Sequence, residues 1–175
     1  MNAGAAILFW LIAAPRADDG AAADQFLHFA SNGCVNAIVT GTPVSTFAAQ
    51  NEAKSPDDKI ASAILGKDDG RVYWKDDPVA PIAIAQRTGG PCTVNARFSG
   101  DVASLTEAVT DFFGGPGGGF YVARVFEESA GAAGWTTHHV FVGRRRGKKM
   151  TLLFSATPGA QTMDQLFFAA QESKE

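Results

Sequence analysis

The segment from Phe120 to Ala156 contains FYVARVFE (120–127), WTTHHVFVG (135–143) and MTLLFSA (150–156). These runs are rich in β-branched and aromatic residues, the side chains that fit a pleated, half-buried surface. Between the second and third lies RRRGKK (144–149), with Gly147 placed for a turn. Connections this short join antiparallel strands, whereas parallel neighbours need a crossover of about a dozen residues or more.

Working outward, Asp101 to Phe113 reads as a helix. Val102, Leu105, Val109 and Phe112 recur at helical spacing, Asp101 can cap the start and Gly114 ends it. Before it come three further strand candidates: Arg71 to Lys75, Ile82 to Arg87, and Cys92 to Phe98. In the last of these Thr93, Asn95 and Arg97 alternate with Val94, Ala96 and Phe98. Ser55-Pro56-Asp57-Asp58 has the chemistry of a helix start, with Ser as cap and Pro at the first helical position. The stripe Ile60, Ala63, Ile64 follows, and Gly66 stops it. Asp24 to Asn32 predicts a short helix carrying Phe26, Phe29 and Ala30, with Gly33 as the stop. Thr42 to Ala53 reads as a loop leading into a helical turn. Thr162-Met163-Asp164-Gln165 has the form of a capping box, which predicts a last helix carrying Met163, Leu166, Phe167 and Ala170. The strand–helix alternation of a doubly wound parallel sheet is missing. The expected fold is α+β: a single domain over 24–175, with a mostly antiparallel sheet of about six strands and helices packed on one face.

Composition narrows the class. Of 175 residues, 46% are apolar and 19% charged, which excludes a disordered chain of low hydrophobicity and high charge. The net charge of -3 gives no general nucleic-acid footprint. Ala3 to Ala14 is twelve residues without a charge, too short to span a bilayer and followed by small residues. That is the pattern of a cleavable export signal over 1–23, with a second candidate junction after Ala17. It predicts a periplasmic or secreted protein with no transmembrane segment after cleavage. Cys34 and Cys92 are the only cysteines, and an even count in an exported chain predicts a disulfide.

Motifs for chemistry are weak. There is no C-x-x-C, no G-x-S-x-G and no H-E-x-x-H. Gly114-Gly115-Pro116-Gly117-Gly118-Gly119 lacks the Lys and Ser/Thr of a phosphate loop and follows a helix C-terminus, the wrong end for an anion. It reads as a connector, with a flap over a groove as the functional alternative. Adjacent His138 and His139 point to opposite faces of a strand, so they cannot easily share a metal ion. Tyr73, Trp74 and Trp135 read as core aromatics or as a ligand platform. The acidic pairs Asp57-Asp58, Asp68-Asp69 and Asp76-Asp77 fall at caps and turns, where Asp serves the backbone. No catalytic, cofactor-binding or metal-ligating residue is assigned. Arg144, Arg145, Arg146, Lys148 and Lys149 form the strongest charge cluster. They read as a hairpin tip that is either solvated or contacts an anionic partner.

Asn32-Gly33-Cys34-Val35, Tyr73-Trp74 with a Pro-containing segment, and Pro91-Cys92-Thr93-Val94 before an amphipathic helix resemble a family of small uncharacterised exported bacterial proteins with two cysteines. The resemblance covers residues 24–115. It implies periplasmic or secreted residence and transfers no catalytic residue. The expected function is therefore an exported, non-enzymatic cell-envelope binding or accessory domain. Its partner would be a protein or an anionic envelope component, with the basic hairpin as the contact. The alternatives are a small hydrolase with a groove under the 114–119 loop, and an inhibitor or immunity-type protein that binds another protein.

Overall fold

The computed structural model describes residues 17–78 and 80–173. The apolar run Ala3–Ala14 lies outside the described residues. Seven strands form one antiparallel sheet in the order β1-β2-β3-β7-β6-β5-β4. They are β1 (Gly70–Lys75), β2 (Ile82–Arg87), β3 (Cys92–Ala96), β4 (Phe120–Ser129), β5 (Trp135–Arg145), β6 (Lys148–Ala156) and β7 (Leu166–Glu172). The helices are α1 (Ala17–His28), α2 (Asn36–Thr40), α3 (Val44–Gln50), α4 (Asp58–Leu65) and α5 (Val102–Gly114), with a π-helical segment Phe29–Val35 joining α1 to α2. The fold is α+β, with seven strands where the sequence indicated about six.

The additional strand replaces the expected last helix. Met163–Gln165 is a single 3-10 turn, and Thr162 makes no side-chain cap. Leu166, Phe168 and Ala170 are buried and alternate with half-buried Phe167 and Ala169. A short apolar run fits either period, and the choice went to the slot between β3 and β6, where both edges of β7 are paired. Gln165, expected to complete a capping box, instead accepts a bond from the Phe98 N–H at 2.7 Å and donates to the Pro158 carbonyl at 3.3 Å.

The first helical run also differs. Gly33 does not stop it, and helix continues to Thr40, where Gly41 caps it at φ 74°. Gly33 is needed for close packing. A Cβ there would lie 2.5 Å from Ile84 Cδ1 and 3.1 Å from Phe47 Cε1. The same π-helical segment carries Cys34, fully buried and disulfide-bonded to Cys92 at the start of β3, with 5.3 Å between the Cα atoms. The cross-link pins the helical layer to the middle of the sheet.

α1, the π-helical segment, α2, α3 and α5 cover one face of the sheet, over Ile82, Ile84, Val94, Leu152, Phe154 and Phe168. In α5, Val102, Leu105, Val109 and Phe113 face inward, not Phe112, which is 42% exposed. Phe113 stacks on Phe168 at 5.2 Å and meets Phe120 and Phe141 at 6.1 and 6.0 Å. Such pairs add about 0.5–1.5 kcal/mol each beyond burial. Asp101 caps α5 by accepting from Ala103 N and Ser104 N. These bonds, led by that from the Ser104 hydroxyl, hold its carboxyl below the ordinary range. The helices do not all lie on one face. α4, capped by Asp57 and not Ser55, packs on the opposite side over Val72, Ala83 and Ala85. The small side chains of β2 on that face leave room for it. Among the described residues, the rest of that face, along β4 to β6, carries no helix.

Candidate functional site

β5 and β6 meet in a two-residue turn, with Arg146 at φ 48° and Gly147 at φ 83°. Positive φ at both positions is the geometry of a type I′ hairpin turn. It brings the five cations together at one end of the sheet, and the strand pleat divides them. Arg145 and Lys148 are paired across the hairpin, on the side of the helical layer. Lys148 Nζ donates to the Ile38 carbonyl in α2 at 2.8 Å and lies 3.2 Å from the Glu172 carboxylate. A cation at a helix C-terminus also meets the negative end of the dipole. Arg145 Nη1 donates to the Gly118 carbonyl at 3.0 Å. These two residues hold the hairpin to its surroundings. Arg144, Arg146 and Lys149 are exposed. Of these, only Arg144 has a side-chain hydrogen bond among the described residues, a long one of 3.5 Å to the carbonyl of Gly147 in its own turn.

Beside the hairpin base lies a cleft of about 1290 Å³. Its walls come from four separate places: Gly41–Ser45 between α2 and α3, Asp69–Arg71 entering β1, Gln86–Gly90 leaving β2, and Gln171–Ser173 at the end of β7. Tyr73 forms part of the wall. The cleft and hairpin are joined, since Ser173 N–H donates to the Lys149 carbonyl at 2.9 Å. Arg87 is committed to structure through Asp68 at 2.9 Å, Thr93 at 3.0 Å and the Ile64 carbonyl at 2.8 Å. The side chain of Arg71 is exposed and has no hydrogen-bond or ion-pair partner among the described residues. No sequence motif marked the cleft, because its walls are short turns brought together only by the sheet.

The remaining candidates are scattered. The glycine run is a tight turn in which Gly118 N–H bonds the Gly115 carbonyl at 3.0 Å. A Cβ on Gly118 would collide with the carbonyl of Phe113 and one on Gly115 with that of Asp111, so these two glycines serve close backbone packing. The cleft is lined by other segments. His138 and His139 do point to opposite faces. His138 Nδ1 bonds Ser155 Oγ at 2.8 Å, and its ring stacks on Phe126 at 4.6 Å. His139 lies against Phe141 and Phe154, and burial, helped by His138, lowers its affinity for a proton. His28 bonds Asn51 and Asn32. Among the described residues no three His, Cys, Asp or Glu side chains cluster as metal ligands. Tyr73 is at the cleft, Trp74 packs near α4, and Trp135 is exposed at the far end of the sheet. They form no common platform.

No protein-family model matches the chain, and no curated protein or solved structure matches it either.

Proposed function

We propose that the protein is an exported, non-enzymatic binding domain of the cell envelope, and that the end of the sheet carrying the hairpin and the cleft holds an anionic partner. The observation that carries this reading is an excess of exposed cations at one end of the sheet, where Asp68 and Glu172 are paired with Arg87 and Lys148 and Asp69 stands at the cleft. Arg71, Arg144, Arg146 and Lys149 sit at one end of the sheet. Asp76, Asp77, Asp101, Glu127, Glu128 and Asp164 sit at or beyond the other end and outnumber Lys75 and Arg97 there. A chain of net charge -3 thus presents a cationic pole beside a concavity, which steers and retains anions. The disulfide supports residence in an oxidising compartment, the periplasm or the exterior. Among the described residues no helix is long and apolar enough to cross a membrane. Ala22 and Ala23 are buried in α1, so a leader removed after Ala17 leaves the described core whole.

The test is cosedimentation with vesicles of anionic lipid and of zwitterionic lipid, at low and at physiological salt. The wild type should bind anionic vesicles in a salt-sensitive way. Replacing Arg144, Arg146 and Lys149 together by Ser should abolish that binding. It leaves Arg145 and Lys148, and hence the fold, in place. Binding unchanged by the triple substitution would refute the assignment.

A further inference from the structure

The sheet has two edges, β1 and β4. The β1 edge is six residues long and partly closed by Lys54, whose backbone exchanges bonds of 2.8 and 2.7 Å with Trp74. β4 is ten residues long, runs in regular register from Arg124 to Ser129 after a shift between Val122 and Arg124, and among the described residues pairs only with β5. An unpaired strand of this length is a template for another strand, and proteins that stay monomeric usually shorten or cover it. Apolar exposure concentrates here. Tyr121 is 64% exposed, Val122 44% and Val125 51%.

The charges on β4 select the occupant. Directly opposed residues of an antiparallel pair share a face. Two copies of β4 related by a twofold axis must therefore pair residues of one face with residues of the same face. A pairing centred on Arg124 would oppose two arginines. One centred on Glu127 or Glu128 would oppose two glutamates. A pairing centred on Val125 leaves every charge unmatched. Centred on Phe126, it sets Phe126 against Phe126 and places Arg124 opposite Glu128 of the second copy, twice by symmetry. All three side chains lie on the face without helices, where Arg124 already sits 4.6 Å over the Phe126 ring and Glu128 lies 3.7 Å from His138. We infer that the protein forms a twofold homodimer through β4, extending the sheet across both copies in this register. Because the strands run antiparallel, the two basic ends face in opposite directions.

Size-exclusion chromatography with light scattering, run up to about 100 µM, tests this. The wild type should have twice the monomer mass. Arg124→Glu and Glu128→Arg each place like charges together twice and should raise the dissociation constant about tenfold or more. Both positions are exposed, so circular dichroism should show an unchanged fold. The double variant Arg124→Glu/Glu128→Arg restores both pairs and should restore the dimer. The inference is overturned by a dimer indifferent to either single substitution, or by a double variant that stays monomeric. A monomeric wild type also overturns it, and leaves the edge to another protein.

Discussion

Opening the Cys34–Cys92 bond should remove a large part of the stability. The two residues are 58 apart in sequence. In the chain-entropy model a loop of that size restricts the unfolded chain by about 14 cal/mol/K, or about 4 kcal/mol at 25 °C. Domains of this size are stable by about 5–15 kcal/mol in all. The structure gives no reason to discount the figure through lost packing, because reduction removes no buried atom and the two thiols need more room than the bonded pair. Both cysteines are 0% exposed, so reductant reaches the bond only when the protein opens. Reduction is therefore done in denaturant, followed by refolding under reducing conditions. Urea unfolding of the oxidised and reduced forms, followed by tryptophan fluorescence, gives the difference. With a slope of about 2 kcal/mol/M, the midpoint should fall by about 2 M. The double variant Cys34→Ala/Cys92→Ala should fall further, since it also empties the space of two buried sulfurs. A midpoint shift below about 0.5 M on reduction would refute the reasoning. It would mean that the unfolded chain already keeps these positions close, and that the helical layer holds to the sheet without its cross-link.

Two further predictions concern the same core. Gly33→Ala should destabilise by about 1–2 kcal/mol, because overpacking against Ile84 and Phe47 outweighs the better helix propensity of alanine. A thermal melt equal to or above wild type would show that the helical layer can lift without cost. Lowering the pH from 7 to 5 should weaken the fold through His139. Its folded affinity for a proton is below that of the unfolded chain, so its contribution is present above the ordinary value of 6.5 and is lost as the pH falls through that value toward the folded one. Urea midpoints across this range should flatten in His139→Phe. An unchanged slope would assign the pH dependence to other groups.

The legible part of the fold was the part built from local signals. β1 to β6 and α5 begin and end close to where alternation, caps and glycines placed them, because in each of them local preference and tertiary pairing agree. β7 was misread because Met163, Leu166, Phe167 and Ala170 also fit a helix. Only the vacancy between β3 and β6 resolves that, and it is not a local property. Gly33 was misread for a similar reason: glycine ends helices by its freedom at positive φ, but here it serves by lacking a Cβ under Ile84. The cleft was invisible, since its walls lie far apart in the chain and none has a motif.

The basic cluster shows how much further the sequence could have been read. Treated as a charge run, its five cations look equivalent. Once Arg146-Gly147 is taken as a two-residue turn, Arg145 must oppose Lys148, and Arg144 must oppose Lys149. Strand periodicity then puts Lys148 in phase with Met150, Leu152 and Phe154, the buried side of β6. A lysine in phase with the core leans against the helical layer, and at the rim of the sheet, with its side chain still 36% exposed, it has partners within reach. It finds them in the Ile38 carbonyl and Glu172. Lys149, in phase with Thr151 and Leu153, is on the side without helices. The division between cations that hold the fold and cations available to a partner thus follows from one turn and a two-residue period. The same parity places Arg124 and Glu128 together on the bare face of β4, where the charge pattern of the strand matches its own reverse.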